Sequence, residues 1–211
     1  MGPILILAPM SIEARTLSRA VSRGSWGPVR IVTIGIAARY LPEWSDRERP
    51  AWIVLAGLAG GLAPNLKTGD IVVEGLPPDR HALAPFNQGR SHSTTRIALD
   101  PATKDKVRLE TGADIVEMEK AAVDAWAAQF GHSVIHIRSV LDAATDILDP
   151  PIVGACDDFG RPKPLAFARL LAQGPQVWSQ LASLRRSART ALTSLGEAIP
   201  RLLTALRAES S

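Results

Sequence analysis

At 211 residues, 46% of them apolar and 21% charged, the chain has the make-up of one folded unit with a substantial core, which excludes disorder as its main state. A single cysteine, Cys156, excludes an internal disulfide and any cysteine-based metal motif. The net charge of +3 is unevenly spread: from Arg161 onward there are eight Lys and Arg against two acids, on a body that is neutral to acidic.

The first predicted element is a strand, Ile4 to Pro9 (ILILAP), a continuous apolar run as expected of a strand buried on both faces. A helix follows with Ser11 as its cap and Gly24 as its stop. VRIVTIG (Val29 to Gly35) is a second strand, and IAARYLPEW opens a helix that Pro42 bends or ends. AWIVLAG (Ala51 to Gly57) is a third strand, followed by the glycine loop LAGGLAPNLKTGD with Gly60 and Gly61 in it, and IVVEG (Ile71 to Gly75) is a fourth. Leu76 to Thr95 is rich in Pro, His, Gly and Ser and reads as a long loop. DPATKDKVRLETG is a helix capped by Asp100, with Pro101 at its first position and Gly112 as its stop. ADIVEM is a short strand, EKAAVDAWAAQFG a helix ending at Gly131, and SVIHIRSVLD (Ser133 to Asp142) another buried strand. From Leu165 to about Arg207 the chain is helical, broken near Gly174-Pro175 and near Pro200. Strands alternating with helices imply an α/β fold with a largely parallel central sheet.

Four acids stand at strand-to-helix junctions: Glu13 after the first strand, Glu117 and Glu119 after the short one, and Asp142 at the end of the last. In open α/β sheets ligands sit beyond the carboxyl ends of strands. Parallel strands would therefore bring all three places to one edge. Four converging carboxylates repel unless some are protonated or paired. Two readings stand at this point: a ligand site, or helix caps, since Asp and Glu favour the first helical turn. The glycines at 57, 60 and 61 permit close backbone approach, but no GxGxxG or GK[ST] fingerprint accompanies them, so a dinucleotide or Walker site is not supported. His81, His92, His132 and His136 show no metal spacing; His136 alternates with Ile135 and Ile137, and a structural histidine is the expectation for each. No metal and no cofactor are called for.

The lone cysteine fits a reducing compartment. The apolar start GPILILAP is too short for a signal segment, and no run reaches the ~18 apolar residues of a membrane span. A cytoplasmic protein is expected, or one peripheral at a membrane. The tail carries apolar faces (Leu165, Phe167, Leu170, Leu171, Val177, Trp178, Leu181, Leu184) among Arg169, Arg185, Arg186 and Arg189. Its start is expected to pack on the fold, and its later part to offer a basic helix to a membrane surface.

ILILAPMSIEA, LAGGLAPNLKTGDIVV, VEMEKAAV and IRSVLDAATD occur in the order and approximate spacing of the nucleoside phosphorylase and nucleosidase superfamily, over roughly Pro3 to Asp146. They resemble most the branch of the methylthioadenosine/S-adenosylhomocysteine nucleosidases. LDPATKDKVRLETGADIVEME and the tail look like the hopanoid-associated phosphorylases, a group thought to remove adenine from adenosylhopane to give ribosylhopane. The resemblance implies a phosphorylase/hydrolase-like three-layer α/β/α fold with a twisted, mixed, largely parallel sheet. It implies a domain over 1–164 with a basic helical extension, 165–211, packed on it. It implies an enzyme that acts on a purine nucleoside, needs no cofactor, does not act on nucleic acid and forms a dimer.

Carried over position by position, Glu13 matches the acid that activates the attacking water. Asp142 matches the general acid for purine N7. Met118 and Glu119 match the ribose contacts, with Glu117 supporting them from behind. An acid at Glu13, where purine phosphorylases tend to carry a phosphate-binding arginine, favours water as nucleophile. The chain departs from the pattern in three places. Leu58 and Leu141 stand where the family has serines, and the stretch between Val73 and Ala98 is short, leaving Phe86 as the nearest aromatic for the base. Phosphorolysis is the alternative activity, and a non-catalytic nucleoside- or lipid-binding protein is the alternative class.

Overall fold

Runs of aliphatic and β-branched residues, too apolar to face water on either side, set the frame. The computed structural model describes residues 2–43, 49–77, 86–95, 97, 100–148 and 154–207. In chain order the strands and helices are β1 (Ile4–Ala8), α1 (Ser11–Val21), β2 (Val29–Thr33), β3 (Trp52–Gly61), β4 (Ile71–Glu74), β5 (Asn87–Gln88), β6 (Ser91–Ser93), α2 (Pro101–Thr111), β7 (Ile115–Glu117), α3 (Lys120–Ala128), β8 (Val134–Asp142), α4 (Pro164–Leu171) and α5 (Pro175–Arg207). The sheet runs β2-β1-β3-β8-β4-β5, with β7 paired to the end of β3 and β6 to β7. Pairings β1/β2, β1/β3, β3/β8, β4/β5 and β6/β7 are parallel; β4/β8 and β3/β7 are antiparallel. The fold is thus α/β, a mixed and mostly parallel sheet with helices on both sides.

Period-two alternation sorts the core into two layers. Ile4, Ile6, Val54, Ala56, Ile135 and Ile137 face α1 and α5, meeting Leu17, Leu195, Ile199, Leu202, Leu203 and Leu206. Leu5, Leu7, Ile53, Leu55 and Val134 face α3, meeting Val123, Trp126 and Ala127. On that second face Arg138 stands two residues beyond His136 along β8, opposite Gly57 of β3.

Several expectations change. The glycine loop starts later than expected: β3 runs past Gly57 through Gly60 to Gly61, because β7 and β8 continue to pair with it, and the loop proper is 62–70. The cap of α1 is Met10, whose N–H is taken by Glu13, leaving Ser11 inside the helix. Ile36–Ala38 is a single 3₁₀ turn, with Ala37 and Ala38 at φ of 59° and 53°. The stretch expected as a loop holds β5 and β6; His81 lies outside the described residues.

Helix α5 does not break at Pro200. An interior proline costs ~3 kcal/mol through a lost hydrogen bond and a clash with the residue four back. Burial of Ile199, Leu202, Leu203 and Leu206, each worth about 1.5–3 kcal/mol, outweighs the loss. The same burial corrects the reading of the tail. Its late part, Ala191 to Leu206, buries one face in the core, while near its start Leu170 and Val177 pack in a small cluster and Leu165, Leu171 and Trp178 are exposed. Among the described residues no helix is long and apolar enough to cross a membrane.

Candidate active site

All four acids come to one cavity. A pocket of about 270 Å³ is lined by Glu13, Glu117, Met118, Glu119 and Asp142, with Gly60, Leu58 and Leu141. Apart from the acids and Thr94 its wall is mostly apolar: Met10, Ile36, Ile97, Val116, Leu148 and Leu184 contribute. The strands do not all point the same way, as the convergence argument assumed. Strand β7 is antiparallel to β3, pairing Gly60 with Val116 and Gly61 with Ile115. Its chain direction returns Glu117 and Glu119 from the far end of β3 toward the end of β1. Of the three glycines only Gly60 lines the cavity; Gly57 and Gly61 lie behind it.

Each carboxylate has a defined set of donors. Glu13 is buried, its Oε1 accepting from the Leu58 N–H at 2.8 Å and its Oε2 from the Met10 N–H at 2.6 Å. It is therefore both a helix cap and a pocket acid. Burial pushes its pKa up to about 7, against the pull of those N–H groups and of Arg138. Glu119 accepts from the Ala37 N–H at 3.0 Å and from Arg138 Nη2 at 3.1 Å. Burial also raises Glu119, Arg138 opposing and Glu117 adding to the rise. The two left-handed alanines turn the Ala37 N–H to face Glu119, a backbone state that L-residues adopt at a cost of about 1–2 kcal/mol each. Glu117 Oε2 accepts from Arg138 Nη2 at 2.5 Å and from the N–H groups of Glu119 and Lys120 at 2.8 Å. It holds the start of α3 and the guanidinium together.

Two cations were not anticipated as parts of the site. Arg138, fully buried, is the counter-ion of Glu117 and Glu119 and also favours the ionised form of Glu13. Lys104, also fully buried, pairs with Asp142 at 2.5 Å. Burial raises the pKa of Asp142 while Lys104 opposes the rise. These two cations answer how four acids share one cavity. Arg138 could have been noticed only once its strand was known to be buried on both faces, where a lone arginine needs a partner. Helix α2 offers no signal for Lys104: its Leu109 is 78% exposed and Lys104 0%, the reverse of what residue type predicts.

The other sequence candidates lie elsewhere. Phe86 packs against the main core and does not line the cavity, so among the described lining residues no aromatic is available to stack on a base. His136 is buried with Nε2 2.9 Å from Asp124 Oδ1, away from the pocket. Cys156 is half-buried at the pocket wall, its thiol pushed up by burial.

Gly57 is required by space. A Cβ there would lie 2.7 Å from Arg138 Nη1 and 2.8 Å from Glu13 Oε1, both of them pinned side chains. Gly57→Ala is therefore expected to cost about 1–3 kcal/mol, as overpacked cores do, read as a lowered urea midpoint. An unchanged midpoint would show that Arg138 and Glu13 are not held as described.

No family model matches the chain, and no curated protein matches it in sequence. Solved structures do match in three dimensions. A methylthioadenosine/S-adenosylhomocysteine nucleosidase from Colwellia psychrerythraea, in complex with adenine, superposes with a TM-score of 0.67 at 19% identity, over 97% of this chain and 96% of that one. The corresponding nucleosidase of Campylobacter jejuni gives 0.62 at 15% identity, over 99% and 100%. The futalosine hydrolase of Helicobacter pylori gives 0.55 at 18% identity, over 94% and 97%. At these identities the likeness establishes a shared fold along essentially the whole chain.

Proposed function

We propose that the chain is a purine nucleosidase that hydrolyses the N-ribosidic bond of an adenosyl compound. The observation that carries this reading is the mostly apolar cavity in which Glu13, Glu119 and Asp142 meet, each with defined donors, Glu119 paired with Arg138 and Asp142 with Lys104. Fold-mates named as nucleosidases, one of them holding adenine, support the same direction. In the proposed reaction Asp142 gives a proton to N7 of the base as the bond from C1′ to N9 breaks, and the bonding electrons leave with the base. Glu119, with its neighbour Met118, meets the ribose, and its negative charge stabilises the cation that develops there. Glu13 takes a proton from a water whose oxygen bonds to C1′.

Water is favoured over phosphate by charge. Among the described lining residues there is no lysine or arginine, and the nearest cations, Arg138 and Lys104, are each paired with carboxylates. The narrower reading is adenosylhopane as substrate, giving adenine and ribosylhopane. It rests on the resemblance of the tail and the α2 region, and the leucines at 58, 141, 148 and 184 suit an apolar substituent. Assay of adenine release from methylthioadenosine, adenosylhomocysteine and adenosylhopane, with and without phosphate, tests both levels. Release that requires phosphate would replace hydrolysis with phosphorolysis. Binding of adenine with no release from any substrate would favour the binding-protein class.

The same reading includes a homodimer, tested by sedimentation. It also includes contact with an anionic membrane through exposed Leu165, Leu171 and Trp178, in the two helices that carry Arg169, Arg185 and Arg186. Flotation of the full chain with anionic vesicles, lost in Trp178→Ala, is the expected result for that contact.

Glu13 fixes a pH dependence. As the base it acts ionised, so on the acid side kcat/KM should rise about tenfold per pH unit up to about 7, the fall at higher pH being set by loss of the proposed Asp142 proton. Its effect on stability has the opposite sense. A carboxyl raised in the folded state favours folding below its unfolded value near 4.5, and the benefit is lost as pH climbs through about 7. The loss amounts to about 3 kcal/mol. Glu13→Gln should flatten both profiles; a wild-type rate already level at pH 5 would remove Glu13 as the base.

A further inference from the structure

Lys104 serves the site from outside the four motifs whose residues were given roles in it. It sits one turn into α2, whose start is fixed by Asp100: the Asp100 carboxylate accepts from the Thr103 N–H at 2.9 Å, and its carbonyl from the Lys104 N–H at 3.1 Å. From there the side chain runs inward and is completely buried. Its ammonium reaches Asp142 Oδ2 at 2.5 Å, the Ala143 carbonyl at 2.6 Å and the Asp146 carbonyl at 3.0 Å. An ammonium has three N–H donors and no lone pair. All three donors are used, so the group is held as a fixed cation aimed at one oxygen of one carboxylate.

We propose that Lys104 is the positioning residue of the acid: by occupying Asp142 Oδ2 with a donor, it confines the proton that Asp142 delivers to Oδ1. The inference rests on the reading of Asp142 as the group that protonates the base. A proton on Oδ2 would point at an N–H; on Oδ1 it faces no hydrogen-bond partner among the described residues, in a side chain that lines the cavity. The same contact fixes the rotation of the carboxyl group, so that its free oxygen is presented in one direction. Geometry of this kind is what converts a nearby acid into an effective one. The charged groups facing Asp142 are Lys104 from α2 and Asp146 from the turn after β8. Asp146 is itself engaged, its Oδ2 accepting from the Ala143 N–H at 2.8 Å.

The test uses the full chain with Lys104→Met and, as a second variant, Lys104→Gln. Each is assayed on methylthioadenosine and on 4-nitrophenyl riboside, whose leaving group departs without protonation. The ratio of the two rates on one preparation does not depend on how much of it is folded. The expected result is a fall of at least about tenfold in that ratio, in kcat and not in KM, for Lys104→Met, and a smaller fall for Lys104→Gln, whose amide N–H can still donate to Oδ2. The high-pH limb of kcat, set by loss of the Asp142 proton, should also move upward in Lys104→Met, because the cation that favours the ionised acid is gone. Equal loss on both substrates, or an unmoved limb, would overturn the proposal and leave Lys104 a structural ion pair. Asp142→Asn separates the two levels. A selective loss there with none in the Lys104 variants rejects the positioning role alone. No selective loss there, or no cleavage of methylthioadenosine by the wild type, rejects the acid and the inference with it.

Discussion

Asp142→Asn should lower adenine release by about 10²–10⁴-fold, the usual worth of a positioned acid, and should weaken the fold as well. The first effect follows from removing the proton donor while keeping its shape. The second follows from Lys104, which is fully buried and has Asp142 as its ion-pair partner. Removing one member of a buried pair costs about 3–5 kcal/mol, because the other is left charged without compensation. Asparagine retains an oxygen that can accept from the ammonium, so the lower end of that range is expected. The two effects can be separated by adding Lys104→Met. An apolar chain of similar length in place of the stranded ammonium should recover most of the stability and none of the activity. Urea unfolding and adenine release on the two single variants and the double variant provide the readings. Normal turnover in Asp142→Asn would remove it as the acid. Normal stability would mean that the pair with Lys104 contributes little.

Arg138→Met should have the largest effect on stability, and the effect should depend on pH. Arg138 Nη2 bridges Glu117 and Glu119, and Arg138 also favours the ionised form of Glu13. Its loss leaves three buried carboxylates together, at a cost of about 3–5 kcal/mol or more. Arg138 opposes the upward shifts of Glu13 and Glu119, so both rise further without it. For raised acids the stabilising, protonated state is complete at low pH and is lost as pH rises. Thermal unfolding should therefore find the variant far less stable than wild type at pH 8 and closer to it at pH 5. Arg138→Lys should rescue only in part, since the lysine chain is shorter and its ammonium is more costly to strip of water than a guanidinium. A deficit independent of pH would point to lost packing in place of lost charge.

What the sequence discloses and what it hides follow from one physical distinction. Strands β1, β3 and β8 are legible because both of their faces are buried, and such strands are written as continuous apolar runs. Helix α2 is legible because its ends use local chemistry: the Asp100 cap, Pro101, and Gly112 in the left-handed region at φ 65°. Strand β6 is not legible. Ser91–Ser93 carries no apolar signal and becomes a strand because β7 offers it an edge. The run of β3 through Gly57, Gly60 and Gly61 is hidden for a similar reason, since glycines read as a turn until the partners on both sides are known. In α5, Pro200 reads as a stop until the leucines beyond it are seen to lie in the core.

The acids behave in the same way. Glu13, Glu117, Glu119 and Asp142 stand out by their places at strand ends, and the structure brings them to one cavity. Their counter-charges do not stand out. Arg138 is one arginine among many until β8 is placed opposite Gly57, and Lys104 lies 38 residues from its partner on a helix whose outward and inward faces are not separated by residue type. Long-range pairing relieves the repulsion among the acids, and no local pattern records it. Glu117 and Glu119 differ in their partners. Glu117 accepts two backbone N–H groups and Arg138, whereas Glu119 has one backbone donor and the edge of the guanidinium.

The proposed hydrolysis is tested most directly by following oxygen. The full chain is incubated with methylthioadenosine in phosphate-free buffer made with heavy-oxygen water, and the sugar product is analysed by mass. Adenine should appear together with a free ribose derivative carrying one heavy oxygen at C1′. Adenine release only when phosphate is added, with the phosphate ester of the sugar as product, would contradict it.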